Sequence, residues 1–96
     1  MSVIESVLLD EKNRNLRMQE QYKKEIAELP KGNLTLKKRK SGAYFYLVYR
    51  EGSKIKFKYV GKNSQDIEKQ IEKRKHLEGL LNKLRVEYKQ IEKVVK

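Results

Sequence analysis

The chain has 96 residues, and its 24 Lys or Arg against 13 Asp or Glu give a formal net charge of +11. It has no cysteine, which excludes a disulfide framework and a thiolate metal site, and a lone His76 cannot by itself build a metal cage or a conventional acid–base pair. We expect one domain over residues 1–96, because a chain this short buries only a modest core. We expect no enzymatic activity, no cofactor and no metal.

The N-terminus does not have the pattern of a targeting segment. The stretch MSVIESVLLDEKNR carries acids where a signal peptide has its basic region, and its apolar run is too short to span a bilayer. We therefore expect a soluble, cytoplasmic protein with no membrane partner.

Residues 1–29 are predicted to form a long helix. Ser2 and Glu5 have the spacing of a capping box, and no glycine or proline interrupts the segment. Polar residues interrupt its apolar stripe at Glu11 and Asn15, so the stripe is expected to loosen between Asp10 and Asn15. The residues DEKNRN have weak helix preference, and a break in the helix stays open there. The stripe itself recurs at steps of three and four and consists of Ile4, Val7, Leu8, Met18, Tyr22, Ile26 and Leu29.

The next segment, residues 34–62, is predicted to form three short strands. Ser41-Gly42 and Glu51-Gly52 separate them, and glycine supplies the positive φ that tight hairpins need. Connections of two residues cannot join parallel neighbours, so the strands are predicted to form an antiparallel meander. The predicted strands are 34–40, 43–50 and 54–60.

Alternation assigns the two sides of each strand. In the third strand, lysines alternate with Ile55, Phe57 and Tyr59, and we expect this apolar side to be buried. The central strand is apolar or aromatic on both sides, and spacing alone does not decide which side faces out. Its two sides are Phe45, Leu47 and Tyr49, against Tyr44, Tyr46, Val48 and Arg50.

Residues 63–96 are predicted to form a second long helix. Asn63 and Ser64 suit its N-terminus, and Asp66 lies in the first turn, where a carboxylate is favourable. A helix of roughly 30 residues spans about 45 Å. An internal glycine, Gly79, costs about 1 kcal/mol relative to alanine and is expected to mark a kink or a close helix crossing. A heptad-like seam runs through Leu77, Leu81, Leu84, Tyr88, Ile91 and Val95.

Together these elements predict an α+β fold in the order α-β-β-β-α. The three-stranded meander lies between two long helices that pair as an antiparallel helical hairpin. The same heptad seam also suits a homodimer, which stays open at this point.

The basic charge is concentrated on the strands. Residues 30–62 hold ten Lys or Arg and one acidic residue. A general solubility device would spread this excess, so we expect an anionic partner to bind the sheet. The alternative is that the lysines only protect the sheet edges from aggregation.

The strand residues suggest two kinds of contact with nucleic acid, since cations neutralise phosphates and aromatic rings stack on bases. The alternative for each tyrosine is an ordinary place in a small core. Predicted phosphate contacts are Lys37, Arg39, Lys54, Lys56 and Lys58. Predicted base contacts are Tyr44, Tyr46 and Arg50. Predicted auxiliary contacts at the strand ends are Lys38, Lys40 and Lys62.

Four short motifs carry a resemblance: LPKG at 29–32, YFYL at 44–47, YREG at 49–52 and YVGK at 59–62. They resemble an uncharacterised family of small basic proteins, common in Gram-positive bacteria and their mobile elements. That family has a tyrosine-rich strand, an Arg-Glu-Gly turn and a Tyr-Ile/Val-Gly-Lys ending. A weaker, architectural likeness is to the arm-binding N-terminal domains of tyrosine integrases, in which a basic three-stranded sheet followed by a helix lies in the DNA major groove.

Two functions remain open from the sequence, beside a structural role in which the helical hairpin assembles and the charge of the sheet is incidental. The first is a nucleic-acid-binding protein of a phage or mobile element, which contacts DNA or structured RNA through the sheet. The second is an interaction protein, such as an anti-CRISPR-like inhibitor, which uses the same basic sheet to bind a nucleoprotein complex or an acidic protein surface.

Overall fold

The structure, a computed structural model, describes residues 2–94 and confirms the predicted α+β order α-β-β-β-α. The strand ends and the inner ends of the two helices agree with the predicted bounds to within about two residues, and the predicted outer helix ends at residues 1 and 96 lie outside the described residues. The last position of the heptad seam, Val95, lies outside the described residues. The elements are α1 (Val3–Ala27), β1 (Asn33–Arg39), β2 (Gly42–Glu51), β3 (Lys54–Gly61) and α2 (Gln65–Val94).

Contacts within the chain group these elements into two compact units. One unit holds the residues up to 28 together with those from 76 onward, and the other holds residues 29–75. Helix α2 contributes its first turns to the sheet unit and its remaining turns to the helical unit. The prediction that the chain is one domain stays a prediction. Neither described helix is both long and apolar enough to cross a membrane.

The ends of α1 follow the signals in the sequence. The Ser2 Oγ accepts a hydrogen bond from the Glu5 backbone N–H at 3.2 Å, which satisfies one of the free donors of the first turn. At the other end, the Glu28 N–H donates to the Glu25 carbonyl at 3.2 Å. Helical geometry stops there because Pro30 disfavours it at the preceding residue.

The break that the sequence left open between Asp10 and Asn15 does not occur, because α1 is continuous. Asn15 is only 2% exposed, and its Nδ2 donates to the Leu84 backbone carbonyl of α2 at 2.9 Å. Its Oδ1 accepts from the Gln19 Nε2 at 2.6 Å. The polar residue that interrupts the stripe is therefore buried, and it joins the two helices by a hydrogen bond.

Contacts in the helical unit show that the two helices run antiparallel. Lys12 forms an ion pair with Glu92 at 3.8 Å, and its ammonium lies 5.4 Å from the centre of the Tyr88 ring. Asn15, later in α1, meets Leu84, which is earlier in α2. The stripe of α1 is not buried throughout, since its first members are exposed. The seam of α2 is buried at Leu77, Leu81 and Ile91.

In the sheet unit, β2 is the central strand and pairs antiparallel with both neighbours. Leu47 lies opposite Leu34 and Lys58, whereas Tyr46 lies opposite Thr35 and Tyr59. Residues directly opposite each other share a side of the sheet, so this register defines two faces. The Leu47 face holds Leu34, Leu36, Lys38, Phe45, Leu47, Tyr49, Glu51, Lys54, Lys56 and Lys58. The Tyr46 face holds Thr35, Lys37, Arg39, Tyr44, Tyr46, Val48, Arg50, Ile55, Phe57 and Tyr59.

The Leu47 face supplies the core of this unit. Leu47 is 4% exposed, and Leu34 lines an open groove together with Ile71 from the first turns of α2. Arg74, on the same part of α2, donates from Nη1 to the Leu29 carbonyl at 2.8 Å. This hydrogen bond therefore joins the first turns of α2 to the segment that leads into β1.

The expectation that β3 buries its apolar side is wrong. Ile55, Phe57 and Tyr59 are 57%, 52% and 57% exposed, and the lysines on the opposite side of β3 are exposed as well. The register places the apolar side of β3 with Tyr46, whereas Leu47 marks the covered side. Alternation shows that a strand has two different sides, but the helix position decides which of them is covered.

The first testable consequence concerns the buried amide. We expect Asn15→Ala to lower the free energy of unfolding by about 1–3 kcal/mol, because Gln19 loses its buried acceptor. Asn13→Ala is the matched control, since Asn13 is exposed on the same helix and gains the same helix propensity. Urea denaturation followed by circular dichroism measures both. Equal stabilities of the two variants would contradict the role of Asn15.

The second consequence concerns two glycines, of which one has no room for a side chain and the other has open space around it. Gly32 has φ +119°, and a Cβ there would collide with the Val48 carbonyl oxygen, so Gly32→Ala should be destabilising. A Cβ on Gly79 would meet no atom within 4 Å, which rules out the close helix crossing expected there. Gly79→Ala should therefore stabilise the chain by about 0.5–1 kcal/mol. The same unfolding measurement tests both signs.

Candidate nucleic-acid interface

Four aromatic rings gather on the Tyr46 face: Tyr44, Tyr46, Phe57 and Tyr59. Tyr46 and Tyr59 are directly opposite in the register, and their ring centres lie 5.5 Å apart at an interplanar angle of 67°. Tyr44 and Tyr59 lie 6.1 Å apart at 48°. Such tilted pairs are favourable for aromatic rings, so the cluster has a defined geometry although much of it is open to solvent.

A register shift next to this cluster changes the side on which the chain continues. Tyr46 pairs with Tyr59, but Phe45 pairs with Gly61, so β3 has one extra residue at this point. Without the shift, strict alternation from Lys58 would send Lys62 to the Leu47 face. Instead, the Lys62 ammonium lies 5.7 Å from the centre of the Tyr44 ring.

Three cations lie over the rings of this face. The Lys37 ammonium is 4.0 Å from the centre of the Phe57 ring and 4.8 Å from that of Tyr46. The Arg39 guanidinium carbon is 5.6 Å from the Tyr46 ring centre. Lys37 and Arg39 come from β1 and Lys62 follows β3, so two separate parts of the chain bring positive charge to one aromatic cluster, at distances where cation–π attraction is significant.

The strand residues of the Tyr46 face include no carboxylate. The single acidic residue between positions 30 and 62 is Glu51, which belongs to the Leu47 face. There its Oε2 forms an ion pair with the Lys56 ammonium at 2.9 Å. The Glu51 charge therefore offsets part of the lysine row of β3 and none of the charge on the Tyr46 face.

The turn between β1 and β2 orients one ring of the cluster. The Tyr44 hydroxyl lies 3.2 Å from the Ser41 carbonyl oxygen, to which it donates, and 3.1 Å from the Ser41 Oγ. A shallow depression opens beside this contact. It is lined by Arg39, Ser41, Tyr44, Tyr46 and Tyr59.

The structure divides the residues predicted from the sequence between the two faces. The Tyr46 face brings together Lys37, Arg39, Tyr44, Tyr46 and Lys62, and Arg50 lies on it farther along β2, opposite Ile55. The Leu47 face holds Lys38, Lys54, Lys56 and Lys58. Lys40 lies in the turn after β1. Binding by any of these residues stays a prediction.

Sequence reasoning missed Phe57 and Tyr59 as members of the site. Both were assigned to a buried side because they alternate with lysines. The available signal was that an antiparallel sheet can have one face in water, so alternation with lysines does not by itself bury the apolar side of β3. Two aromatic residues on such a strand are candidates for contact with a partner.

A comparison with known protein families finds a match to one family. A model of the family described as "Domain of unknown function (DUF6788)" matches residues 8–73, which include most of α1, the whole sheet and the first turns of α2. The match agrees with the uncharacterised family expected from the motifs. The range of organisms and the integrase likeness stay predictions. No curated protein and no solved structure matches the chain.

Proposed function

Because the chain belongs to the DUF6788 family, whose description assigns no activity, we propose its function from the geometry: it is a nucleic-acid-binding protein that uses the Tyr46 face. The observation that supports this most is the placement of three cations over the rings of one aromatic cluster, on strands with no carboxylate on that side. Phosphates and bases are the two groups that this combination suits.

Lys37, Arg39 and Lys62 are the phosphate ligands in this proposal. Each phosphate neutralised by a lysine or arginine releases condensed counterions, which gives affinity without sequence preference and makes binding fall steeply with salt. The aromatic cluster of the same face provides π-faces to which bases bind, at roughly 1–3 kcal/mol for each stacked base.

The lysines of β3 have a secondary role in the proposal. Lys54, Lys56 and Lys58 are spaced two residues apart on one side of an extended strand, which separates them by about 6.6 Å. They add attraction for any polyanion, but Lys56 is already paired with Glu51, and the row lies on the opposite face from the aromatic cluster.

A protein partner is the second candidate, and the apolar exposure of the same face favours it. Ile55 and Phe57 expose more than half of their surface, and Phe57 lies beneath the Lys37 ammonium. An inhibitor of the anti-CRISPR type would cover these side chains with a nucleoprotein or an acidic protein surface. The phage or mobile-element origin and the cytoplasmic location belong to the same proposal, and the homodimer stays a separate prediction.

Two triple variants with the same change in charge test which face binds. One combines Lys37→Ala, Arg39→Ala and Lys62→Ala, and the other combines Lys54→Ala, Lys56→Ala and Lys58→Ala. Fluorescence anisotropy with labelled duplex DNA, single-stranded DNA and a structured RNA, across a salt series, measures affinity. We expect the first triple to weaken binding at least tenfold and to reduce the salt slope by about 2–3, with a smaller effect for the second.

Two outcomes would contradict the proposal. If both triples weakened binding equally, net charge alone would explain the affinity, and the Tyr46 face would not be the site. If the unmodified protein bound all three nucleic acids weakly and equally, nucleic acid would not be its ligand. Inhibition of a purified RNA-guided nuclease would then test the second candidate.

A further inference from the structure

We propose that Tyr59 is the platform on which an unpaired base stacks, so that the ligand of the Tyr46 face is single-stranded nucleic acid. This inference rests on the proposed function and narrows it to one class of ligand. It concerns a residue that the sequence patterns assigned to the core.

The first support is that three of the four rings have a cation over them, whereas Tyr59 has none from the described part of the chain. Lys37 and Arg39 lie over Tyr46, Lys37 also lies over Phe57, and Lys62 lies over Tyr44. Within residues 2–94, Tyr59 is the ring of this cluster that has no such cation. It is also more than half exposed. Its ring is therefore the one that a base reaches without displacing a charged side chain.

The second support is the angle between the rings. Tyr59 is inclined by 48° to Tyr44 and by 67° to Tyr46. A planar base cannot lie parallel to two rings at these angles, so it is not sandwiched between them. It stacks on one ring while the neighbouring rings contact its edges. This is the geometry of a platform for one base.

The third support is the depression around this ring. Arg39, Ser41 and the two other tyrosines line it, so the edge of a base stacked on Tyr59 meets a guanidinium and hydroxyl groups. The hydrogen bond of Tyr44 with Ser41 holds the Tyr44 ring at one side of the depression in the free protein. Less side-chain entropy is then lost when a ligand binds.

An unpaired base follows from this geometry. Bases inside a duplex have both faces covered by their neighbours, so a flat aromatic platform reaches only bases that are unstacked or splayed out. The three cations around the platform then serve the phosphates on either side of the stacked nucleotide. Stacking on the face of a base does not distinguish deoxyribose from ribose, so single-stranded DNA and RNA are separate arms of the test.

The experiment uses the absence of tryptophan from the chain. Tyr59→Trp introduces a single indole at the proposed platform, and a base that stacks on it quenches its fluorescence. Ile55→Trp is the matched control, because Ile55 is on the same strand and face and is equally exposed at 57%. It lies four residues away, or about 13 Å. Each variant is titrated with oligothymidylate, with oligouridylate and with a duplex of equal length.

We expect both single strands to quench the indole at position 59 strongly, and the duplex to quench it little. The indole at position 55 should respond weakly to all three. In parallel anisotropy measurements, Tyr59→Phe should bind single strands within about twofold of the unmodified protein. Tyr59→Ala should bind them roughly 5- to 100-fold more weakly, with little change for the duplex. Circular dichroism checks that each variant keeps its fold.

The outcomes separate this inference from the function on which it rests. If Tyr59→Ala bound single strands normally while the Lys37, Arg39 and Lys62 triple variant still lost binding, the proposed function would stand and the stacking role would be refuted. Equal quenching of the indole at position 59 by duplex and single strands would refute the preference for unpaired bases. No binding by the unmodified protein would overturn both.

Discussion

The cross-strand register of β2 is the constraint on which the rest of the site depends. Tyr46 pairs with Tyr59 and Leu47 pairs with Lys58, and these two pairings send every other residue of the sheet to one face or the other. A slip of one residue would turn the β3 lysines toward the tyrosines and bring Phe57 and Tyr59 to the side of Leu47. Short turns at both hairpins and the burial of Leu47 oppose such a slip.

Cations and aromatic rings occupy the same face because several parts of the chain deliver them independently. β1 supplies Lys37 and Arg39, whereas Lys62 comes from beyond β3 and reaches the rings through the irregular pairing at Phe45. Each cation is held over a ring by an attraction that is weak at an exposed site. A phosphate can therefore draw these side chains away at little cost, while the rings keep their places.

The sequence predicted the elements well, because their signals are local: glycine at the turns, proline after α1 and apolar spacing within each strand. It could not predict which face of the sheet is covered, since alternation is symmetric and the position of α2 is a tertiary property. The role of Asn15 was invisible for a related reason. Its partner is the main-chain carbonyl of Leu84, sixty-nine positions away, and a backbone group has no signature in the sequence.

The hydrogen bond from Arg74 to the Leu29 carbonyl has a consequence for the architecture of the chain. It joins the two ends of the contiguous segment 29–75, so the chain enters and leaves the sheet unit at neighbouring positions. Segments with adjacent ends are the ones that tolerate transfer between hosts. Segment 29–75 is therefore a candidate for transfer between the helices of an unrelated hairpin. Once it has folded, the entropy cost of bringing α1 and α2 together is that of a loop much shorter than their separation in sequence.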